Sequence, residues 1–521
     1  MYKSIVALVC LVALGLCALV GARSQSDAVK LRLRLIDAAD GHDMAGIVRA
    51  YSQKAGKYVP LSGLFNRLLG LKLPADSSGW HVVGSGGAMT TLPREKIRLE
   101  ALCGLETVLA TQEIDLTQEV PAEVTIKLDF IFRPEQQQLA AGNTHLHLMK
   151  ISRAEADEYL RSIPAADRLR ILFISYLERN PDDRLYVTNQ YPVGDLPQFS
   201  ASGLLINNGE EHRHNFQAYG QGYGHVMFLN IKELVKPVSL GPGLTGGGFD
   251  DRPLRPGIDE ARRQGATVIW CHNTFGFEDV VNALTGRLHA LNVFDGSRLG
   301  SYEDNYYRYL NLGLHMPIST GTDWFLYDFS RVYVNVPGKL TVPYWLESFK
   351  AGRTVATNGP LLKLDVAGKS PGDTIKLDKP EVIQVEASGL GRHDFQRLQL
   401  LHNGKVIKTE PAHGKNPYRA RIAHQVRVDQ PSWFAVRIDT TNKNELYRPL
   451  YAHSSPVYVE YGGKRMLDVD AARGLLAQIE EAEGGIRGKG RFSSPKARDG
   501  VLDLYNQAAA ELRDRIKRRT H

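Results

Sequence analysis

The chain reads as a multidomain α/β plus β protein. A central domain of alternating strands and helices is flanked by an N-terminal and a C-terminal β-sandwich, and a helical tail follows. Three observations predict this. At 521 residues with 43% apolar content, the chain is too long for one ordinary core and apolar enough to build several. Its hydrophobic pattern has period 2 up to about residue 132, becomes a strand–helix alternation from about 139, and returns to period 2 near 361. After residue 466 the spacing turns helical.

The elements follow in order. In residues 1–22, Lys3 precedes an apolar run from Ile5 to Val20, which leads into Gly21 and Ala22 before polar Arg23, Ser24 and Gln25. That is the layout of a secretory signal peptide, so a secreted or periplasmic protein cut after Ala22 is expected. The run is short for a bilayer core of ~30 Å, so no stable membrane insertion is expected after cleavage. Bulky Leu16 before Cys17 argues against lipidation. Cys10 and Cys17 leave with the signal. Only Cys103 and Cys271 remain, too few for a disulfide scaffold, and Cys271 reads as a buried core thiol.

Residues 30–132 carry LRLRLID, IVRAYS, IRLEAL, ETVLATQEIDL and VTIKLDFIF, short strands separated by turn residues. The segment LRLRLIDAADGHDMAGIVRAY resembles the opening of carboxypeptidase-regulatory-like or transthyretin-like domains. Residues 139–352 alternate RAEADEYLRSIP (helix), RILFIS (strand), ATVIWC (strand), EDVVNALTGRL (helix) and ALNVF (strand), which implies βα units around a mainly parallel sheet. Residues 361–462 return to strands, with His402-Asn403-Gly404-Lys405 as a tight hairpin. Residues 466–521 hold two helical patterns, and the basic run Arg513 to Arg519 reads as a solvated helix end. The net charge of +7 and pI near 9.0 suit a small-molecule or anionic substrate. No basic stripe is interleaved with aromatics, so nucleic acid is not an expected partner.

Chemistry concentrates in the central domain. GNTHLHL places His145 and His147 two residues apart on a strand, so both imidazoles face one way. Downstream come NNGEEH with Glu210, Glu211 and His212, GHVMFLNI with His225, VIWCHN with His272, and ISTGTDWF with Asp323. Glu211, His272 and Asp323 are expected just past the carboxyl ends of strands, where βα folds assemble active sites. Imidazole with carboxylate suits a divalent transition metal, zinc, manganese or iron. His225 also reads as a core histidine, and His212 and His214 as part of a solvated loop. Asp295, at another strand end, reads as a structural or supporting partner.

Together these motifs resemble the PHP (polymerase and histidinol phosphatase) metallohydrolases, specifically the CehA/McbA branch, over about residues 139–375. The exit SRVYVNV and FKAGRTVATNGPLLKLDVAGKSPGD is similar to that branch as well. The resemblance implies a distorted β/α barrel with His145, His147, Glu211, His225, His272 and Asp323 as ligands. Glu211 would bridge ions, and a one-residue slip would put Glu210 in its place. Two departures stand out. Tyr176 and Glu178 occupy the place of the usual Asp-His pair, and Trp324 and Phe325 that of a later histidine, so one or two ions are expected rather than three.

A bound divalent cation lowers the pKa of its water from 15.7 towards about 7 and polarises the bond under attack. The expected function is an exported metal-dependent hydrolase of an ester, phosphoester, carbamate or amide. Arg331 would hold an anionic group or developing oxyanion, or else form an ordinary strand salt bridge. The alternative is a degenerate member that binds glycans or surface partners without turnover.

Overall fold

Leucine alternating with basic residues in AVKLRLRLID makes a strand, Ala28–Asp37, in which Leu31, Leu33 and Leu35 are fully buried and Lys30 is exposed. Each buried leucine contributes about 1.5–3 kcal/mol. The computed structural model describes residues 27–72, 79–179, 185–216, 219–241, 248–272, 276–295 and 301–520, so the expected signal peptide lies outside the described residues. Ala28–Asp37 pairs in parallel with Glu123–Leu128 and antiparallel with Ala88–Pro93. A second sheet centres on Gly46–Ser52, flanked by His81–Val83 and Lys96–Leu102. Its Val48, Ala50 and Leu99 share one apolar layer with Leu31, Leu33 and Leu35. The start of the ETVLATQEIDL pattern is a turn instead of strand. Thr107 Oγ1 accepts from the Cys103 amide there (2.9 Å), and Glu106 is carried into the interior.

The chain is mixed α/β and strand-rich. The central sheet hinges on Leu139–His147, which pairs in parallel with Ile171–Tyr176 and with Asp323–Trp324, and antiparallel with Arg331–Asn335. From Ile171–Tyr176 the pairing runs through Leu205–Phe216, Tyr219–Leu229, Thr267–Trp270 and Ala290–Asn292 to Ile318–Ser319. Four residues after that strand the chain pairs with Leu139–His147 again, through Asp323. The sheet is less parallel than the βα reading expects. NNGEEHRHNF stays in strand and folds back as a hairpin, so two successive pairings are antiparallel. Helix Arg153–Ala166 packs beside it, opened by a capping box in which Ser152 and Glu155 satisfy each other's backbone N–H.

Strand Thr354–Thr357 pairs with both Arg331–Asn335 and Ala452–Ser454, so the central sheet continues without a break into the C-terminal region. A separate three-stranded sheet, Leu361–Val366, Glu381–Gly391 and Tyr418–Val428, covers it through Leu364, Val385, Ile422, Leu400 and Val436. His402 faces Lys405 across Asn403 (φ 53°) and Gly404 (φ 81°), a two-residue turn with both central residues left-handed. The tail forms helices Val469–Lys489 and Pro495–Thr520, with Asp468 capping the first. Leu475, Ile479, Tyr505 and Leu512 join the core that holds Val226 and Trp270. Among the described residues no helix is long and apolar enough to cross a membrane.

Candidate metal centre

Strand alternation brings His145 and His147 to one face, and both are fully buried. Each ring has its Nδ1 engaged. His147 Nδ1 donates to the Ser175 carbonyl at 3.0 Å, and His145 Nδ1 lies 2.7 Å from Asp295 Oδ2, which also accepts from Asn292. Both Nε2 atoms therefore turn inward, 3.0 Å apart. An outer partner of this kind sets the tautomer of a metal-binding histidine. The approach is tight: a Cβ on Gly321 would stand 2.4 Å from His145 Cβ, so only glycine fits.

Glu211 divides the site. Its Oε2 lies 2.8 Å from His147 Nε2 and 3.6 Å from His145 Nε2, while Asp323 Oδ1 lies 3.5 Å from His145 Nε2 and 3.8 Å from His147 Nε2. Donors at about 2.0–2.2 Å around a tetrahedral ion are spaced by about 3.4 Å. The other oxygen, Oε1, lies 3.0 Å from His225 Nδ1 and 3.4 Å from His272 Nε2. Buried groups fit to hold an ion are thus His145, His147, Glu211 and Asp323 on one side, and Glu211, His225 and His272 on the other. His272 and Asp323 reach inward because both adopt left-handed backbone (φ 56° each), a strain of roughly 1–3 kcal/mol apiece.

The electrostatics fit a cation. Burial works against charge on His145, yet Asp295, Cys271 and Asp323 hold its pKa well above the ordinary histidine value. His272 is raised too, by Glu211, Asp323 and Asp295 against burial. Burial would raise the Glu211 carboxyl, but Arg213 and the surrounding imidazoles of His145, His147 and His225 hold it well below the usual range. Burial, with Arg213 adding to it, pushes His225 down to about 3. Three carboxylates thus draw positive charge into a buried space, and among the described residues Asp323 Oδ1 and Asp295 Oδ1 have no hydrogen-bond partner.

Several residues stand elsewhere than the sequence reading puts them. Glu211 sits within the strand Leu205–Phe216, not past its end. Arg331 is fully buried with its guanidinium 3.2 Å from Glu106 and bonded to the carbonyls of Asp167 and Phe329, so it bolts the N-terminal region to the central sheet and does not face the cluster. His212 and His214, expected in a solvated loop, are buried in strand on the face opposite Glu211. Glu178 pairs with Lys236 at 3.2 Å, and that ammonium also lies over the Tyr176 ring. Trp324 packs 5.2 Å from the His147 ring and 5.5 Å from Tyr186. Phe325 lies against Tyr159 and fills the space above Gly70. The sequence reading misses Arg213, two residues beyond Glu211 on the same face of the strand, with NH1 3.8 Å from Glu211 Oε1. The same alternation that pairs His145 with His147 points to it.

No protein-family model matches the chain, and no curated protein matches it. Among solved structures, a CARDB domain from Pyrococcus furiosus is 15% identical over 20% of this chain and 97% of its own, with a TM-score of 0.14. An FMN-binding beta-glucuronidase from Facaelibacterium prausnitzii is 8% identical over 84% of this chain and 74% of its own, with a TM-score of 0.16. Likenesses this low carry no argument about fold or function.

Proposed function

We propose that the chain is an exported, metal-dependent hydrolase of the PHP type, CehA/McbA branch, cleaving an ester, phosphoester, carbamate or amide. The observation that carries this reading is the Glu211 carboxylate, whose two oxygens each face a separate set of inward-turned imidazoles. The return of the central sheet to Leu139–His147 supports a distorted β/α barrel. His145, His147, Glu211 and Asp323 would hold one ion, and Glu211, His225 and His272 a second. Zinc, manganese or iron suits these donors.

When bound, such a cation supplies water of lowered pKa, towards about 7, and polarisation of the scissile bond. The chain's own residues do the rest. Asp295 and the Ser175 carbonyl hold His145 and His147 in fixed orientations. Trp324 and Tyr186 shield the His147 edge from solvent. The side chains of His272, Arg213 and Asp323 keep 12%, 10% and 8% of their surface exposed, against 0–1% for His145, His147 and Glu211, so substrate reaches the site over that rim. Burial raises the Cys271 thiol, which argues against a cysteine nucleophile.

One observation favours a second reading, binding without turnover: Tyr176 and Glu178, which stand where the resemblance expects an Asp-His pair, are engaged by Lys236. Metal analysis with a substrate screen separates the two. The protein recovered outside the cell, with an intact mass beginning near Arg23, is expected to carry at least one stoichiometric transition metal. It is expected to cleave nitrophenyl phosphates, naphthyl carbamates or simple esters, with activity lost on chelation and restored by metal. A folded protein that takes up no metal on reconstitution would retire the hydrolase in favour of the binding module.

A further inference from the structure

Arginine is expensive to bury without a close anion. The other deeply buried arginines meet that cost with carboxylates in hydrogen-bond contact. Arg67 lies 2.6 Å from Asp167, Arg331 lies 3.2 Å from Glu106, and Arg392 lies 2.5 Å from Glu445. Arg213 does not. Its residue is 8% exposed, its nearest carboxylate among the described residues is Glu211 at 3.8 Å, and its Nε is buried with no hydrogen-bond partner. That carboxylate is already shared among His147, His225 and His272.

The backbone holds Arg213 in place. Its residue lies directly opposite His225 across the hairpin, and its amide donates to the Val238 carbonyl (3.1 Å). Cross-strand neighbours of this kind project to the same side of the sheet. The guanidinium therefore stands beside the His225 and His272 half of the cluster and forms part of the exposed rim. It is a planar, permanently charged fork with an unused donor.

We infer that Arg213 is a specificity-determining residue that receives an anionic oxygen group, carboxylate or phosphate, carried by the substrate. The inference rests on the hydrolase reading and narrows it, because neutral esters would lack the group that completes the Arg213 environment. Glu211 stays with the histidines, while the substrate oxyanion supplies the acceptor that Nε lacks.

The test uses the full mature chain, metal-free and metal-reconstituted, titrated calorimetrically with inorganic phosphate and separately with acetate. Wild type, Arg213→Gln and Arg213→Lys are compared, with bound metal counted in every sample. Charge-assisted hydrogen bonds contribute about 1.5–3 kcal/mol, so Arg213→Gln is expected to weaken anion binding roughly 10- to 100-fold. Arg213→Lys should lose less, since it keeps the charge but not the fork, and metal content should not change. Preference for phosphate over acetate names the source of the oxyanion. Equal binding by wild type and Arg213→Gln, or no binding of either anion by wild type, would overturn the inference. Because metal is measured independently, a protein that takes up no ion yet loses anion binding in Arg213→Gln would sink the hydrolase and keep the anion site. Stoichiometric metal without an Arg213 effect would do the reverse.

Discussion

The chain contains two His-x-His pairs on buried strands, and they do opposite things. His145 and His147 turn their Nε2 atoms towards Glu211 and Asp323. His212 and His214 have the same spacing and are buried too, yet their Nε2 atoms have no hydrogen-bond partner among the described residues. The His212 ring stacks on Phe228 with centroids 5.0 Å apart, and its Nε2 edge rests against Gly257, where a Cβ would come within 2.2 Å. Its Nδ1 lies 2.8 Å from Glu210 Oε1, whose second oxygen accepts from the Val235 amide, and His214 Nδ1 lies 2.7 Å from the Arg252 carbonyl. Spacing decides that two rings share a face. What stands opposite decides whether they are a site or a core.

The charge states separate the pairs as well. Carboxylates hold His145 above the ordinary histidine value, whereas burial pushes both His212 and His214 down to about 3. His145 sits among anions, whereas His212 and His214 stay neutral.

The widest expected difference between them is in metal content. Replacing His145 and His147 together by alanine should abolish binding of at least one ion, because the remaining carboxylates cannot reproduce imidazole geometry. Replacing His212 and His214 together should leave metal stoichiometry intact while lowering stability by several kcal/mol, as expected for truncated core side chains. Elemental analysis beside denaturant unfolding reads both. Metal loss from the His212/His214 variant alone would invert the comparison.

Two glycines sharpen it. Gly321→Ala would drive a Cβ into His145 and should strip metal, while Gly257→Ala presses only on the His212 ring. The second change should cost about 1–3 kcal/mol of stability, the usual range for overpacking, at unchanged metal content. If Gly321→Ala binds metal as wild type does, the tight approach behind His145 is not what positions it.

The smallest expected effect is on pH dependence. His214 has a folded pKa of about 3 against an ordinary 6.5, pushed down by burial and by His212. The unfolded chain takes up the proton first, so stability is full above about 6.5 and falls as pH drops through that value towards 3. Removing the group in His214→Gln should make that acid slope shallower in thermal melts of metal-free protein. An unchanged slope would show that His214 is not buried neutral.

Arg213 and Arg331 make the same contrast for arginine. Both lie in strands of the central sheet, but Glu106, 225 residues away, takes up Arg331, whereas among the described residues no carboxylate comes closer to Arg213 than Glu211 at 3.8 Å. The sequence places a basic residue near each motif and cannot say which one finds a partner.

Much was legible from local pattern. The alternating leucines of Ala28–Asp37, the Asn403-Gly404 turn, the capping box at Ser152 and the shared face of His145 and His147 follow from periodicities of a few residues and from backbone conformations that particular residues favour. The hairpin through NNGEEHRH was not legible, because its polar residues look like a loop until partners appear on both faces of the strand. Those partners arrive from far along the chain. Glu211 lies 64 residues from His147, Asp295 lies 150 from His145, and Glu211 lies 61 from His272. By itself the sequence determined which side chains share a face, since that depends on neighbours two to four residues apart. Tertiary structure alone decided what each face meets, because burial, ion pairing and metal-binding geometry depend on distances between segments that no local pattern encodes.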